Sequence, residues 1–180
     1  MSAHGHIHPH QPVDVHAHWY PQAWLDVLSR HGPAEGVEWR DVEGKGPQFK
    51  VGYLSTGPAG PQFVDLDTRL EAMDRQGVQV HALSLSQPMV YWSSGELANR
   101  LTATFNDELA RAHDLHPRRL IGLATLPMQF PEMALREVER AARLPGVRGF
   151  YLGTRVLDRE LSDPMFFPVY ERIAALGLPI

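Results

Sequence analysis

The chain has 180 residues, 43% hydrophobic and 21% charged, with a formal net charge of −4 and no cysteine. That length and balance suit one globular domain. They argue against nucleic acid as a partner, which needs a basic face, and exclude disulfides and thiolate chemistry; no apolar run approaches the roughly 20 residues of a membrane span.

Residues 1–11 hold His4, His6, His8 and His10 in a setting without apolar periodicity. This stretch reads as a disordered, metal-sticky leader. It lacks the basic region and apolar core of a secretory signal, so a cytoplasmic location is expected.

Pro12 to Tyr20 then alternates with a period of two, the mark of a strand. Val13, Val15 and Ala17 point one way, and Asp14, His16 and His18 the other. Residues two apart stand side by side on one face of a strand, so the imidazoles of His16 and His18 can converge on one ion. Neutral imidazole is a good ligand for zinc and other divalent transition metals. His-x-His is weak evidence alone, because ten histidines in this length give about half of one such pattern by chance. A pair of hydrogen-bonded core histidines is the competing reading.

Pro21 to His31 reads as a short helix with Trp24, Leu25 and Leu28 as its apolar stripe. Residues 33–63 are rich in glycine and proline and read as an inserted hairpin and loop, too long for a simple connection. From Asp65 the pattern is modular. A helix capped by Asp65 or Asp67 and stopped at Gly77 precedes a strand over Val78–Leu85. Ser93 and Glu96 form a capping box for a helix whose stripe is Leu97, Leu101, Phe105 and Leu109. Leu120–Leu126 reads as a strand buried on both faces, Pro131–Leu144 as a helix and Val147–Leu152 as a strand. A last helix is capped by Ser162 or Asp163 and ended by Gly177.

Strand alternating with helix four times predicts parallel crossovers, in an open doubly wound sheet or a (β/α)₈ barrel. No Gly-x-Gly-x-x-Gly follows the first strand, which removes the dinucleotide argument for the open sheet. Polar residues at the end of strand one suit a barrel, which keeps its active site there. Leu178-Pro179-Ile180 reads as the opening of a fifth strand. A complete barrel needs about 200 or more residues, so residues 12–180 read as the N-terminal half of one, expected to be poorly stable in isolation.

The ordered set Val13-Asp14-Val15-His16-Ala17-His18, Met73-Asp74-Arg75-Gln76-Gly77-Val78, Asn106-Asp107-Glu108-Leu109-Ala110, Gly122-Leu123-Ala124-Thr125-Leu126-Pro127 and Phe166-Phe167-Pro168-Val169-Tyr170-Glu171 resembles the amidohydrolase-related decarboxylases. Those of the aminocarboxymuconate-semialdehyde type are nearest. The resemblance implies a (β/α)₈ barrel, a divalent metal (zinc foremost) on His16 and His18, and non-oxidative loss of CO₂ from an unsaturated or aromatic carboxylic acid. It also places the catalytic histidine and the remaining ligands beyond residue 180, so the isolated chain is expected to be inactive, and a homodimer is expected for the parent protein. In the family an arginine of the inserted hairpin holds a substrate carboxylate. Its best match is Lys50, which otherwise reads as an exposed loop lysine. Trp92, after strand two, either walls the pocket or packs at the core or rim. The same barrel serves amide and lactone hydrolases, and a non-catalytic fragment pairing with another chain is a further alternative.

Overall fold

The structure is a computed structural model that describes residues 12–180; the expected disordered leader lies outside the described residues. Four parallel strands form the main sheet in the order β1 (Val13–His18), β5 (Val80–Ser84), β6 (Leu120–Ala124), β7 (Val147–Phe150). Between β1 and β5 come α1 (Gln22–His31), the antiparallel sheet β2 (Val37–Val42), β3 (Gly46–Val51), β4 (Leu54–Ser55), and then α2 (Pro61–Val64) and α3 (Leu66–Gln76). The later crossovers carry α4 (Gly95–Leu115) and α5 (Pro131–Ala141). After β7 a small hairpin, β8 (Arg155–Val156) and β9 (Arg159–Glu160), leads to α6 (Phe167–Ala175). Among the described residues no helix is long and apolar enough to cross a membrane.

The helix stripes bury as the periodicity requires. Leu97, Leu101, Phe105 and Leu109 are all buried on α4. A side-chain carbon on Gly122 would stand 3.0 Å from Leu109, so the face of β6 carrying Leu120, Gly122 and Ala124 lies directly under α4. The opposite face is another matter: Ile121 and Leu123 are only half-buried. The expectation of a strand buried on both faces is therefore corrected, because helices cover only one face of this sheet. A second correction concerns β1. Val13 and Val15 are 51% and 56% exposed, since β1 is an edge strand among the described residues and no helix reaches that end of it.

Leu178–Ile180 begin to extend the sheet as expected. The Phe150 amide donates to the Pro179 carbonyl at 3.0 Å, and Gly149 permits the approach, because a Cβ there would lie 2.8 Å from that same oxygen.

Segment 33–63 is more ordered than a hairpin and loop. Its three strands are pinned to the body by Phe49, which stacks on Trp39 (5.8 Å between centroids) and meets Tyr20 edge-on at 5.4 Å. Gly46 has φ +93°, and a side chain there would strike the Ala59 carbonyl, so only glycine fits this turn.

The start of α4 departs from the expected capping box. Ser93 is buried and its hydroxyl donates to the Val90 carbonyl. Ser94 is the N-cap residue, and its amide and hydroxyl both donate to Glu35, a residue 59 positions away. A tertiary carboxylate thus does what the local glutamate was expected to do. By contrast, Asp65 accepts the Thr68 amide at 2.7 Å and Asp163 the Met165 amide at 3.0 Å, as their positions predict.

Asn106, fully buried on α4, fixes the loop after β6. Its Nδ2 donates to the Thr125 carbonyl and to Glu137, and its Oδ1 accepts the Thr125 amide at 2.9 Å. Asn106→Ala strands these buried groups and should cost about 2–4 kcal/mol. Urea unfolding measures this; a loss below about 0.5 kcal/mol would mean that the bonds do not hold the loop.

Candidate functional site

The site begins with the pairing of β1 and β5, whose register sets Asp14 opposite His81 and His18 opposite Ser84, with a slip between Asp14 and Ala17. The Ser84 carbonyl accepts the Trp19 amide at 3.0 Å, and the Ser84 hydroxyl, fully buried, lies 2.9 Å from His18 Nδ1. With the proton on Nδ1, His18 donates to that hydroxyl and keeps the Nε2 lone pair free, the usual arrangement for a metal-binding imidazole. The His16 ring is exposed and stands 6.4 Å from that of His18, nearly perpendicular to it. That spacing is at the outer limit for two imidazole rings on one ion.

Behind the pair lies a buried cationic support. Arg69, from α3, donates to the His18 carbonyl and, at 3.2 Å, to His81 Nδ1. A guanidinium only donates, so His81 must accept at Nδ1 and carry its proton on Nε2. That atom faces Asp14 Oδ2 at 3.8 Å. Burial lowers the Arg69 pKa to about 10, still charged at neutral pH. Burial, then the neighbouring His16, pushes His18 below its ordinary 6.5. Burial, then Arg69, does the same to His81. Both rings are thereby kept neutral, the form in which a histidine can ligate.

His18 opens onto a cavity of about 760 Å³ walled by Met89, Tyr91, Trp92 and Tyr151. The walls are fixed by hydrogen bonds. Trp92 Nε1 donates to the Met89 carbonyl, Tyr91 Oη accepts the Gly153 amide at 3.0 Å, and the Tyr20 hydroxyl donates to the Gln87 carbonyl at 2.6 Å. Tyr151 meets the His18 ring edge-on at 5.5 Å. Burial raises the Tyr91 hydroxyl well above its usual range, so it stays protonated.

The amidohydrolase family model (Amidohydro_2) matches residues 13–180. The chain belongs to the amidohydrolase family. It is 27% identical over 169 residues to the 2-amino-3-carboxymuconate-6-semialdehyde decarboxylase of Dictyostelium discoideum, which covers 93% of this chain and 47% of that protein. The crystal structure of 5-carboxyvanillate decarboxylase from Sphingomonas paucimobilis superposes with a TM-score of 0.73 at 31% identity, over 93% of this chain and 50% of that one. The 5-carboxyvanillate decarboxylase of Novosphingobium aromaticivorans, solved with manganese, shares the fold at 21% identity, with a TM-score of 0.75 over 97% of this chain and 50% of that one. The parallel sheet and its helices are thus the fold of amidohydrolase-type barrels, and the chain spans about half the length of the relatives it matches.

In this amidohydrolase chain the expected site residues are only partly brought together. His18 and Trp92 line one cavity, with His16 beside His18 on β1. Lys50 does not join them. Its Nζ pairs with Glu38 at 2.8 Å, and it lines a separate groove with Trp39, Arg40 and Gln48. Its neighbour Val51 is the one that faces the His18 cavity, because adjacent strand residues point to opposite faces. Asp14 hydrogen-bonds to neither the His16 nor the His18 ring; its carboxylate accepts the His16 amide at 2.8 Å. Asp74 pairs with Arg119 at 2.7 Å, a structural contact. Sequence reasoning missed Ser84, Arg69 and Arg155, the last of which lines the cavity directly after Gly153-Thr154. Among the described residues no group of three or more histidine, aspartate, glutamate or cysteine side chains stands ready to hold an ion; His16 and His18 are a pair.

The lowered pKa values of His18 and His81 carry a pH signature. Between the folded values and 6.5 the unfolded chain binds protons that the folded one refuses. Stability is therefore full above about pH 6.5 and falls as the pH drops below it, before the carboxylates titrate. Urea midpoints at pH 7.5 and 5.5 should differ, with the lower value at 5.5; equal midpoints would show that neither ring is held neutral by the fold.

Proposed function

We propose that this chain supplies the metal-ligand strand and the substrate cavity of a metal-dependent, non-oxidative decarboxylase acting on an aromatic or unsaturated carboxylic acid. The observation that carries the proposal is the His18 ring, fixed by Ser84 at one nitrogen and open at the other, facing an aromatic-walled cavity. The imidazole donors suit a borderline divalent ion such as zinc. The metal, when bound, would polarise an oxygen of the substrate as a Lewis acid.

This chain's own residues do the rest. Ser84 holds the His18 tautomer and Arg69 holds the strand end that carries it. Trp92, Tyr91 and Tyr151 offer flat apolar faces suited to a conjugated ring, and a cavity so lined sheds water when a planar acid enters. A desolvated carboxylate loses its hydration and is predisposed to leave as CO₂. We place Trp92 as the wall against which the ring stacks. Two imidazoles hold an ion less firmly than a full ligand set. Small carboxylic acids, rather than nucleic acid or membrane, are its ligands, and a cytoplasmic homodimer is the proposed setting.

The test is CO₂ release from 5-carboxyvanillate or 2-amino-3-carboxymuconate 6-semialdehyde by the protein carrying this sequence, loaded with zinc or manganese. His18→Ala should lower kcat/KM at least about 10³-fold, and chelation should abolish turnover until metal is restored. Ser84→Ala should weaken metal affinity about 10–100-fold while leaving the fold intact. Lactone ring opening without CO₂ release would overturn the decarboxylase reading in favour of hydrolysis.

A further inference from the structure

A carboxylic acid that enters the His18 cavity carries negative charge into an aromatic surround, and apolar walls alone would reject it. Among the described residues one lysine or arginine lines that cavity: Arg155. It sits on the β8–β9 hairpin, which follows β7 and contributes Arg155, Leu157 and Asp158 to the lining.

The hairpin is a built feature. Leu157 opens its two-residue turn with φ +56°, a conformation for which glycine is the ordinary choice at that position. A leucine there costs about 1–2 kcal/mol in backbone strain, yet the residue is 62% exposed and lines the cavity instead of packing in the core. The strained turn thus presents an apolar residue to the cavity, two positions from the cationic one. Arg155 is held but not consumed. Its Nε forms an ion pair with Glu160 at 3.2 Å, directly across the hairpin, and its Nη2 donates to the Asp158 carbonyl at 3.2 Å. Nη1 makes no hydrogen bond among the described residues. Both members of the Arg155–Glu160 pair are more than half exposed, so the ion pair is weak and exchangeable.

We infer that Arg155 is the specificity-determining residue of this cavity, selecting substrates with a second anionic group besides the carboxylate that leaves, and exchanging Glu160 for that group. The inference rests on the reading of the His18 cavity as the substrate site. It gives the hairpin a task that Lys50, on the far face of β3 and paired with Glu38, is not placed to perform. The planar guanidinium suits a carboxylate better than an ammonium would, because it can donate two parallel bonds. Asp158, also in the lining, opposes the anion, so binding is a contest that Arg155 must win and that its loss should reverse.

The experiment uses equilibrium binding of two unreactive probes to the metal-loaded protein by titration calorimetry: isophthalate, a planar dianion, and isophthalamide, its neutral counterpart. Arg155→Gln should raise the Kd for isophthalate at least about tenfold and change that for isophthalamide less than about twofold. Arg155→Lys should fall between wild type and Arg155→Gln, and Glu160→Gln, which removes the competing carboxylate, should tighten isophthalate binding about threefold. Equal losses for both probes, an unchanged isophthalate Kd in Arg155→Gln, or no saturable isophthalate binding to wild type would each overturn the inference. CO₂ release by the wild-type protein is read separately. Turnover with no discrimination between the probes removes Arg155's role alone. Discrimination without CO₂ release removes the decarboxylase reading and leaves an anion-selective site.

Discussion

The alignment of His18 with Ser84 across two parallel strands is the constraint from which the candidate site follows. A parallel ladder fixes register through backbone bonds, here including the Trp19 amide on the Ser84 carbonyl. The same register that builds the sheet therefore delivers a buried hydroxyl to one nitrogen of His18. Arg69 completes the hold by taking the carbonyl of the same residue. A guanidinium buried this deeply costs desolvation energy, and it is retained here where it stops the end of β1 from fraying. His18 is consequently gripped at both backbone and ring, while His16 is exposed beside it.

The cavity is made by loops at the C-terminal ends of strands, each tied to a part of the scaffold it does not touch in sequence. Tyr20 holds the Gln87 carbonyl, Gln129 holds the Val90 and Ser93 carbonyls, and Tyr91 takes the Gly153 amide. The inserted sheet reaches the same cavity through Val51 and Tyr53, steadied by the packing of Phe49 against Trp24 and Trp39. Rigid walls built from separate crossovers explain how a surface made largely of loops can offer flat faces to a planar ligand.

Much of this was legible in the sequence because it depends on period and local chemistry. The α4 stripe, the caps at Asp65 and Asp163 and the glycine stop at Gly77 are all local, and the structure agrees with them. What was not legible depends on pairing between distant segments. The Ser94 cap comes from Glu35, and Ser84 becomes a partner of His18 only through strand register. Lys50 illustrates the limit most plainly: one residue of phase in β3 separates it from Val51, which faces the cavity. Arg155 had a signal, a cation shortly after β7, at the end of a strand where barrels place function, but only the geometry of the β8–β9 hairpin turns it toward His18's cavity.

The central claim is that the His16–His18 pair, and not the histidine-rich leader, is where a divalent ion meets the aromatic cavity. Paramagnetic broadening by substoichiometric Mn²⁺ in ¹H–¹⁵N and aromatic ¹H–¹³C NMR spectra tests it directly, using the chain with and without residues 1–11. The expected result is selective broadening of His16, His18, Trp92 and Tyr151 that survives removal of the leader and vanishes in the double variant His16→Ala, His18→Ala. Broadening confined to His4, His6, His8 and His10, and lost with them, would contradict it.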